Sequence, residues 1–214
     1  MTALTAREVA VVRQVVGLLL QYPDDALRRV LPIVRTAVGG LPAPVGGPLA
    51  GLLDHLARTP EDVLVADFVA TFDLSRRHAL HLTYFTHGDT RKRGLALLRI
   101  KQTYRRFGYV LDDSGYDAEL PDHLSVVLEF AATVDAAAGT RLLLEHRAGL
   151  ELLGLALTEA GSPYAAATSA VSATLPPLHG SVREAIVRLA AEGPPGEEVG
   201  LDPFVPPEIS GARR

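Results

Sequence analysis

The chain has no cysteine. Disulfides, iron–sulfur ligation, thiolate zinc sites and cysteine nucleophiles are thereby excluded, and the composition is compatible with a reducing compartment. Tryptophan is also absent, methionine occurs once, and the aromatic residues are six tyrosines and six phenylalanines. The 48% of hydrophobic residues are mostly alanine, leucine and valine, a composition that suits helices packed through aliphatic stripes. No apolar run approaches the roughly 20 residues that cross a bilayer. The amino-terminal apolar patch is broken by Arg7, Glu8, Arg13 and Gln14, with no small-residue cleavage site behind it. A cytoplasmic protein without membrane insertion is expected. A nucleophile elbow, a phosphate loop and a Rossmann glycine pattern are all missing, so an enzyme is not expected.

What the chain does have is concentrated in residues 73–109, where aromatic residues, histidines and a basic cluster meet. Between Ser75 and Tyr109 nine Lys/Arg stand against one acid, Asp89, for a local charge of +8; the rest of the chain then carries −12, since the whole is −4. At 214 residues one domain is expected, large enough to bury a core without a metal or a cross-link.

The periodicity is helical throughout. Thr5 with Glu8 forms a capping-box pattern opening a helix to about residue 21, and Asp24 can cap a second helix to residue 38 with Pro32 as a kink. Residues 39–47 read as a loop and 48–58 as a short helix. Thr59-Pro60-Glu61-Asp62 then starts a helix whose Val65, Phe68, Val69 and Phe72 share a core face. Residues 75–86 read as a further helix, closed at His87-Gly88-Asp89. In the following helix, residues 90–107, Leu97, Ile100, Tyr104 and Phe107 lie on one side, and Arg91, Lys92, Arg99 and Arg106 on the other. A polar connection, 108–117, leads through Glu119-Leu120-Pro121-Asp122-His123 into an apolar helix. Gly139 reads as a break before a long helix from Thr140 to Gly161, and two more helices follow. The reading is an all-α bundle of about eight or nine helices over residues 1–192, with a Pro/Gly-rich flexible tail from 193 to 214.

Three groups of residues offer chemistry. The basic helix could contact phosphates, but the net charge is negative and no nucleic-acid motif accompanies it, so a solvated face is the simpler reading. His78, His81, His87 and Asp89 are metal-capable, yet their spacing is unspecific and no cysteine completes a site; no metal is expected. Glu119, Asp122, His123 and Glu129 cluster in sequence, but adjacent residues on a helix do not face one another, and Asp122 suits a helix N-terminus.

Four stretches stand out together: Leu18-Leu19-Leu20-Gln21-Tyr22-Pro23, Phe68 to Asp73, Leu82-Thr83-Tyr84-Phe85-Thr86-His87-Gly88-Asp89-Thr90-Arg91, and Leu120-Pro121-Asp122-His123-Leu124 through Glu129-Phe130. In them the chain resembles the NarJ family, assembly chaperones of respiratory nitrate reductase, within the superfamily of TorD and DmsD-type chaperones. The wider group's Glu-x-Pro-x-Asp-His motif is similar to Glu119–His123, with one residue fewer between proline and aspartate. The resemblance implies a TorD-like helical chaperone with no cofactor of its own. Its implied partners are the apo alpha subunit of nitrate reductase, bound at an N-terminal twin-arginine-like segment, and molybdenum-cofactor delivery proteins; its implied task is to keep that subunit competent for cofactor insertion. Chaperoning of another molybdoenzyme, or nucleic-acid binding through residues 91–106, are the alternatives. Such a segment is basic and partly apolar, which suits a groove with acidic rims. Asp122 and Glu119 are expected to recognise charge, Tyr84 and Phe85 to line the groove, and His87, Asp89, Arg91, His123 and Glu129 to complete it. Lys92, Arg99 and Arg106 are expected to form a basic client surface.

Overall fold

A computed structural model describes residues 3–111 and 119–192. The tail assigned to 193–214 and part of the 108–117 connection lie outside the described residues. Helix α1 (Ala6–Leu19) opens on the expected capping box: Glu8 N–H donates to Thr5 Oγ1 at 3.3 Å, and Thr5 N–H to the Glu8 carboxylate at 2.7 Å. These bonds satisfy two of the amides that a helix start leaves without partners. Asp24 likewise caps α2 (Asp25–Gly39), accepting from Leu27 N–H at 2.9 Å.

The remaining helices are α3 (Ala43–Arg58), α4 (Glu61–Phe68), α5 (Tyr84–His87), α6 (Arg91–Arg106), α7 (Leu124–Thr133), α8 (Ala136–Glu145), α9 (Arg147–Glu159), α10 (Ala165–Ala173) and α11 (Gly180–Glu192). The fold is all-α, as the periodicity predicts. Among the described residues there are eleven α-helices rather than eight or nine, and the only β pairing is a single bridge. α1 lies at the centre, against α2, α7 and α10, and its Val12, Val16 and Leu19 are wholly buried. α8 covers α7, α9 carries α10 and α11, and α3 closes the far side on α2 and α10. No helix among the described residues is long and apolar enough to cross a membrane.

Four departures from the sequence pattern have identifiable causes. α3 starts at Ala43, inside the stretch read as a loop, because Pro42 and Ala43-Pro44 occupy the entry positions where a missing amide costs nothing. Gly139 is no break. It sits within α8 where that helix meets α7 so closely that a Cβ there would lie 2.2 Å from Ala131 Cβ. The break comes instead at His146, between α8 and α9. After α4 the helix widens: Leu74 N–H donates to the Val69 carbonyl, five residues back, at 3.1 Å, forming a π turn over Val69–Asp73. The core face there is Leu64, Phe68 and Phe72, with Val65 and Val69 only half-buried. Lastly, Phe107 is 41% exposed, so the inner side of α6 ends at Tyr104.

Candidate functional site

Residues 75–86 do not form the expected helix, and the reason builds the site. After a 3₁₀ turn at Arg76–His78 the chain extends and pairs antiparallel with the segment that enters α7. Leu82 N–H donates to the Asp122 carbonyl at 3.0 Å, and Leu124 N–H to the Leu80 carbonyl at 2.8 Å. Backbone groups used in this bridge between His81 and His123 are unavailable to a helix. Tyr104 secures the other side of the turn by donating its hydroxyl to the Pro121 carbonyl at 2.8 Å.

Asp122 is fully buried beneath this bridge. Its carboxylate accepts from Thr83 N–H at 3.2 Å, from the Thr83 hydroxyl, and from His81 Nδ1 at 3.3 Å, while Arg93 Nη2 stands 3.7 Å away. Burial alone would raise its pKa, but the hydrogen bonds from His81 and Thr83 and the charges of His81 and Arg93 outweigh burial and hold it below the usual carboxylate value. An ionised carboxylate only accepts, so His81 Nδ1 is the donor in this contact. Asp122 is therefore not on an acidic rim; its recorded partners all lie inside the protein. Arg93, which no motif singled out, binds Thr83 Oγ1 through Nε at 3.3 Å and Asp89 through Nη1 at 3.2 Å. Its signal was its phase: Arg93 falls on the same side of α6 as Leu97, Ile100 and Tyr104, a cation on an apolar face.

His123 is 7% exposed. Its Nδ1 lies 2.6 Å from Ser125 Oγ, its Nε2 lies 3.9 Å from the Glu119 carboxylate, and its ring meets His81 edge-on with centroids 5.3 Å apart. Burial, reinforced by His81 and opposed by Asp122, pushes its pKa down to about 4, so the ring is neutral. Burial also raises the Glu119 pKa, with Asp73 and Asp122 adding to the effect and His81 opposing it.

Around these residues the surface carries three neighbouring hollows that share Tyr22 in their walls and together outline a groove. One hollow, of about 300 Å³, has Tyr22, Phe68 and Phe72 as walls and includes Asp73, His81, Glu119 and His123. The next, of about 430 Å³, shares Tyr22, Glu119 and His123 and adds Asp24, Tyr109, Ser125 and Glu129. A third extends past Tyr22 and Asp24 to Glu61 and Asp62. Among the described residues the lining combines aromatic, aliphatic and acidic side chains, and no lysine or arginine contributes to it. It can hold a cationic, partly apolar chain.

Residues 39–170, which include this bridge and most of the groove, match the family described as nitrate reductase delta subunit. The chain belongs to that family. A relative, the nitrate reductase-like protein NarX of Mycobacterium tuberculosis, is 42% identical over 164 residues, which are 77% of this chain. The chain spans about a quarter of that relative's length, 24%. A Bacillus subtilis protein assigned as the nitrate reductase molybdenum cofactor assembly chaperone NarJ is 29% identical over 78% of this chain and 89% of its own. Among solved structures, a chain from Archaeoglobus fulgidus assigned as a redox enzyme maturation protein superposes with a TM-score of 0.53. At 23% identity, over 81% of this chain and 94% of that one, it shares the fold.

In this member of the family the residues singled out from sequence fall into four places. Glu119, His123 and Glu129 line the groove, with Asp122 beneath it. Tyr109 donates a hydrogen bond from its hydroxyl to Glu129, and burial together with that carboxylate pushes the phenol up to about 12. Tyr84 and Phe85 are buried elsewhere, in a separate groove lined by Leu152, Leu155 and Leu189 together with Arg76, Arg77 and Glu159, with Phe85 seated against Gly149. His87 is half-buried at the end of α5, and Asp89 is tied to Arg93. Arg91, Lys92, Arg99 and Arg106 are exposed on α6, interleaved with Leu95 (60% exposed) and Leu98 (54%). Among the described residues no group of three or more His, Asp or Glu is arranged to hold a metal ion.

Proposed function

We propose that this protein is an assembly chaperone for a nitrate reductase. It binds the N-terminal segment of the apo catalytic (alpha) subunit and keeps that subunit open for insertion of its molybdenum cofactor, which delivery proteins bring to the complex. The observation that carries the reading is the groove: aromatic walls and carboxylates from Asp24, Asp73, Glu119 and Glu129, with no cation among its described lining residues. A twin-arginine-like segment, basic and partly apolar, is the complementary ligand. Glu119, Glu129 and His123 touch the segment, and Asp122 positions the wall from beneath. The exposed face of α6, with Lys92, Arg99 and Arg106, meets another part of the client.

Titration of a peptide carrying the first residues of the client's catalytic subunit tests this. Glu119→Gln with Glu129→Gln is expected to weaken binding at least tenfold at low salt, the loss shrinking as salt rises. Full affinity in the double variant removes the groove from the account. Charge reversal at Lys92, Arg99 and Arg106 is expected to leave peptide affinity unchanged while lowering the yield of mature enzyme; normal maturation reduces that face to a solvated surface. The leucines interleaved with those cations find no partner on a phosphate backbone, so salt-dependent binding to mixed nucleic acid is not expected.

A further inference from the structure

We propose that residues 201–205 of this chain, Leu-Asp-Pro-Phe-Val, dock in the groove formed by α5, α9 and α11 and cover it as a strap. The groove holds Tyr84, Phe85, Leu152, Leu155 and Leu189 with the exposed Arg76 and Arg77, and it shares no lining residue with the acidic hollows. The proposal therefore goes beyond the chaperone reading and stands or falls without it. Three features of the chain carry it.

The first is where the chain leaves α11. Ala190 and Ala191, in the last turn of that helix, themselves line the groove, so whatever follows them starts at its wall. Leu201 comes ten positions after Ala191. A tether of that length spans roughly 17 Å on average, and a short tether holds what it carries at roughly millimolar effective concentration. A covering segment of modest affinity is then bound most of the time, and a free partner at lower concentration competes poorly.

The second is the distribution of apolar residues. Residues 193–200 read Gly-Pro-Pro-Gly-Glu-Glu-Val-Gly and have little to bury, whereas Leu201, Phe204 and Val205 then fall within five positions. Pro203 and Pro206 restrict the backbone on either side of Phe204, so less conformational entropy is lost when that stretch is ordered. On the receiving side Leu155 is 52% exposed, and Leu152 and Leu189 are half-buried, a leucine seam without full cover among the described residues. The third is charge. Glu197, Glu198 and Asp202 are the only charged residues from 193 to 207. In the groove two arginines stand against one glutamate: among the described residues Arg77 pairs with Glu159 at 3.0 Å, and Arg76 pairs with no acid. Opposite charges thus accompany the apolar contact, and a basic segment would gain nothing there.

The chain has no tryptophan, so Phe204→Trp in the full chain supplies a single emitter. Its emission is expected at shorter wavelength than that of the free peptide 193–214 carrying the same substitution, and its quenching by acrylamide several-fold weaker. Both effects should be independent of protein concentration. Leu155→Asp and, separately, Arg76→Glu, at exposed positions outside the core, are expected to move the emission back towards the peptide value and to raise the quenching several-fold. Should tryptophan prove too large for the groove, the parent chain labelled with meta-fluorophenylalanine gives an equivalent readout: the Phe204 fluorine resonance is expected to shift on Leu155→Asp. Emission and quenching equal to those of the free peptide, together with a Phe204 fluorine resonance unmoved by Leu155→Asp, overturn the proposal and leave the groove to another partner. A blue shift that fades on dilution overturns it by making a second copy of the chain the occupant. A blue shift that survives both variants puts residues 201–205 elsewhere and overturns it as well.

Discussion

His81 and His123 face each other edge to ring across one antiparallel bridge, and only His81 bonds to the carboxylate beneath them. His123 turns its Nδ1 to Ser125 instead. The pair is asymmetric: one imidazole is held by a charge, and the other is held by burial.

That asymmetry has a pH signature. Burial, with help from His81, lowers the His123 pKa from 6.5 to about 4 in the folded chain. The unfolded chain accepts a proton at this residue that the folded chain refuses, so stability is fully present above about pH 6.5 and falls as pH drops towards 4. A shift of this size corresponds to about 3 kcal/mol. Urea unfolding measured at several pH values should show that decline, and His123→Gln should flatten it. Identical pH slopes in parent and variant would sink the assignment.

Asp122 and Glu129 should separate cleanly in stability. Asp122→Ala removes a buried carboxylate from Thr83, His81 and Arg93, and breaking a buried charged pair on one side costs about 3–5 kcal/mol. Glu129 is exposed, and its replacement by alanine should stay within about 0.5 kcal/mol. Chemical denaturation reads both. Comparable losses would mean that Asp122 is not the clamp described.

Arg13 makes a third case. It is almost wholly buried, and its guanidinium reaches only neutral oxygens, Thr140 Oγ1 at 2.9 Å and, more distantly, Thr174 Oγ1 and the Ala136 carbonyl. Burial lowers its pKa. Methionine, of similar length and without the charge, should cost less than about 1 kcal/mol or stabilise, whereas alanine should cost about 3 kcal/mol or more through the space it leaves. A large loss in Arg13→Met would show that the charge itself matters.

Gly139→Ala should be damaging out of proportion to one methyl group. The new carbon would fall on the Cβ and Cα of Ala131, so α7 and α8 must separate, at a cost of about 1–3 kcal/mol or above. Thermal melts should show a drop of several degrees. A neutral outcome would contradict the helix contact.

Features that depend on near neighbours in sequence were legible. Thr5 and Glu8 lie one turn apart and cap α1, Asp24 caps α2, and the phase of α6 gave Ile100 and Tyr104 as its buried side. Glu119, His123 and Glu129, close together in sequence, line one hollow. Features that depend on distant partners were not. Residues 75–86 carry a helical pattern, but their backbone pairs with residues about forty positions away, and no local signal reports that. Gly139 reads as a breaker until Ala131 is seen beside it. Asp122 reads as a surface acid because nothing in its own segment announces that Thr83, His81 and Arg93 close over it.

The π turn at Val69–Asp73 amounts to one spare residue in an otherwise regular helix. Shortening the chain there by one position would let ordinary helical bonds resume, and everything beyond would rotate by about 100°. Asp73, which lines the first hollow, would swing out of it, and the Phe72 ring would leave its edge contact with Tyr164, 4.9 Å between centroids. The groove therefore depends on an insertion that helix propensity alone would remove. A family member lacking that residue would keep the bundle and lose the acid-lined mouth.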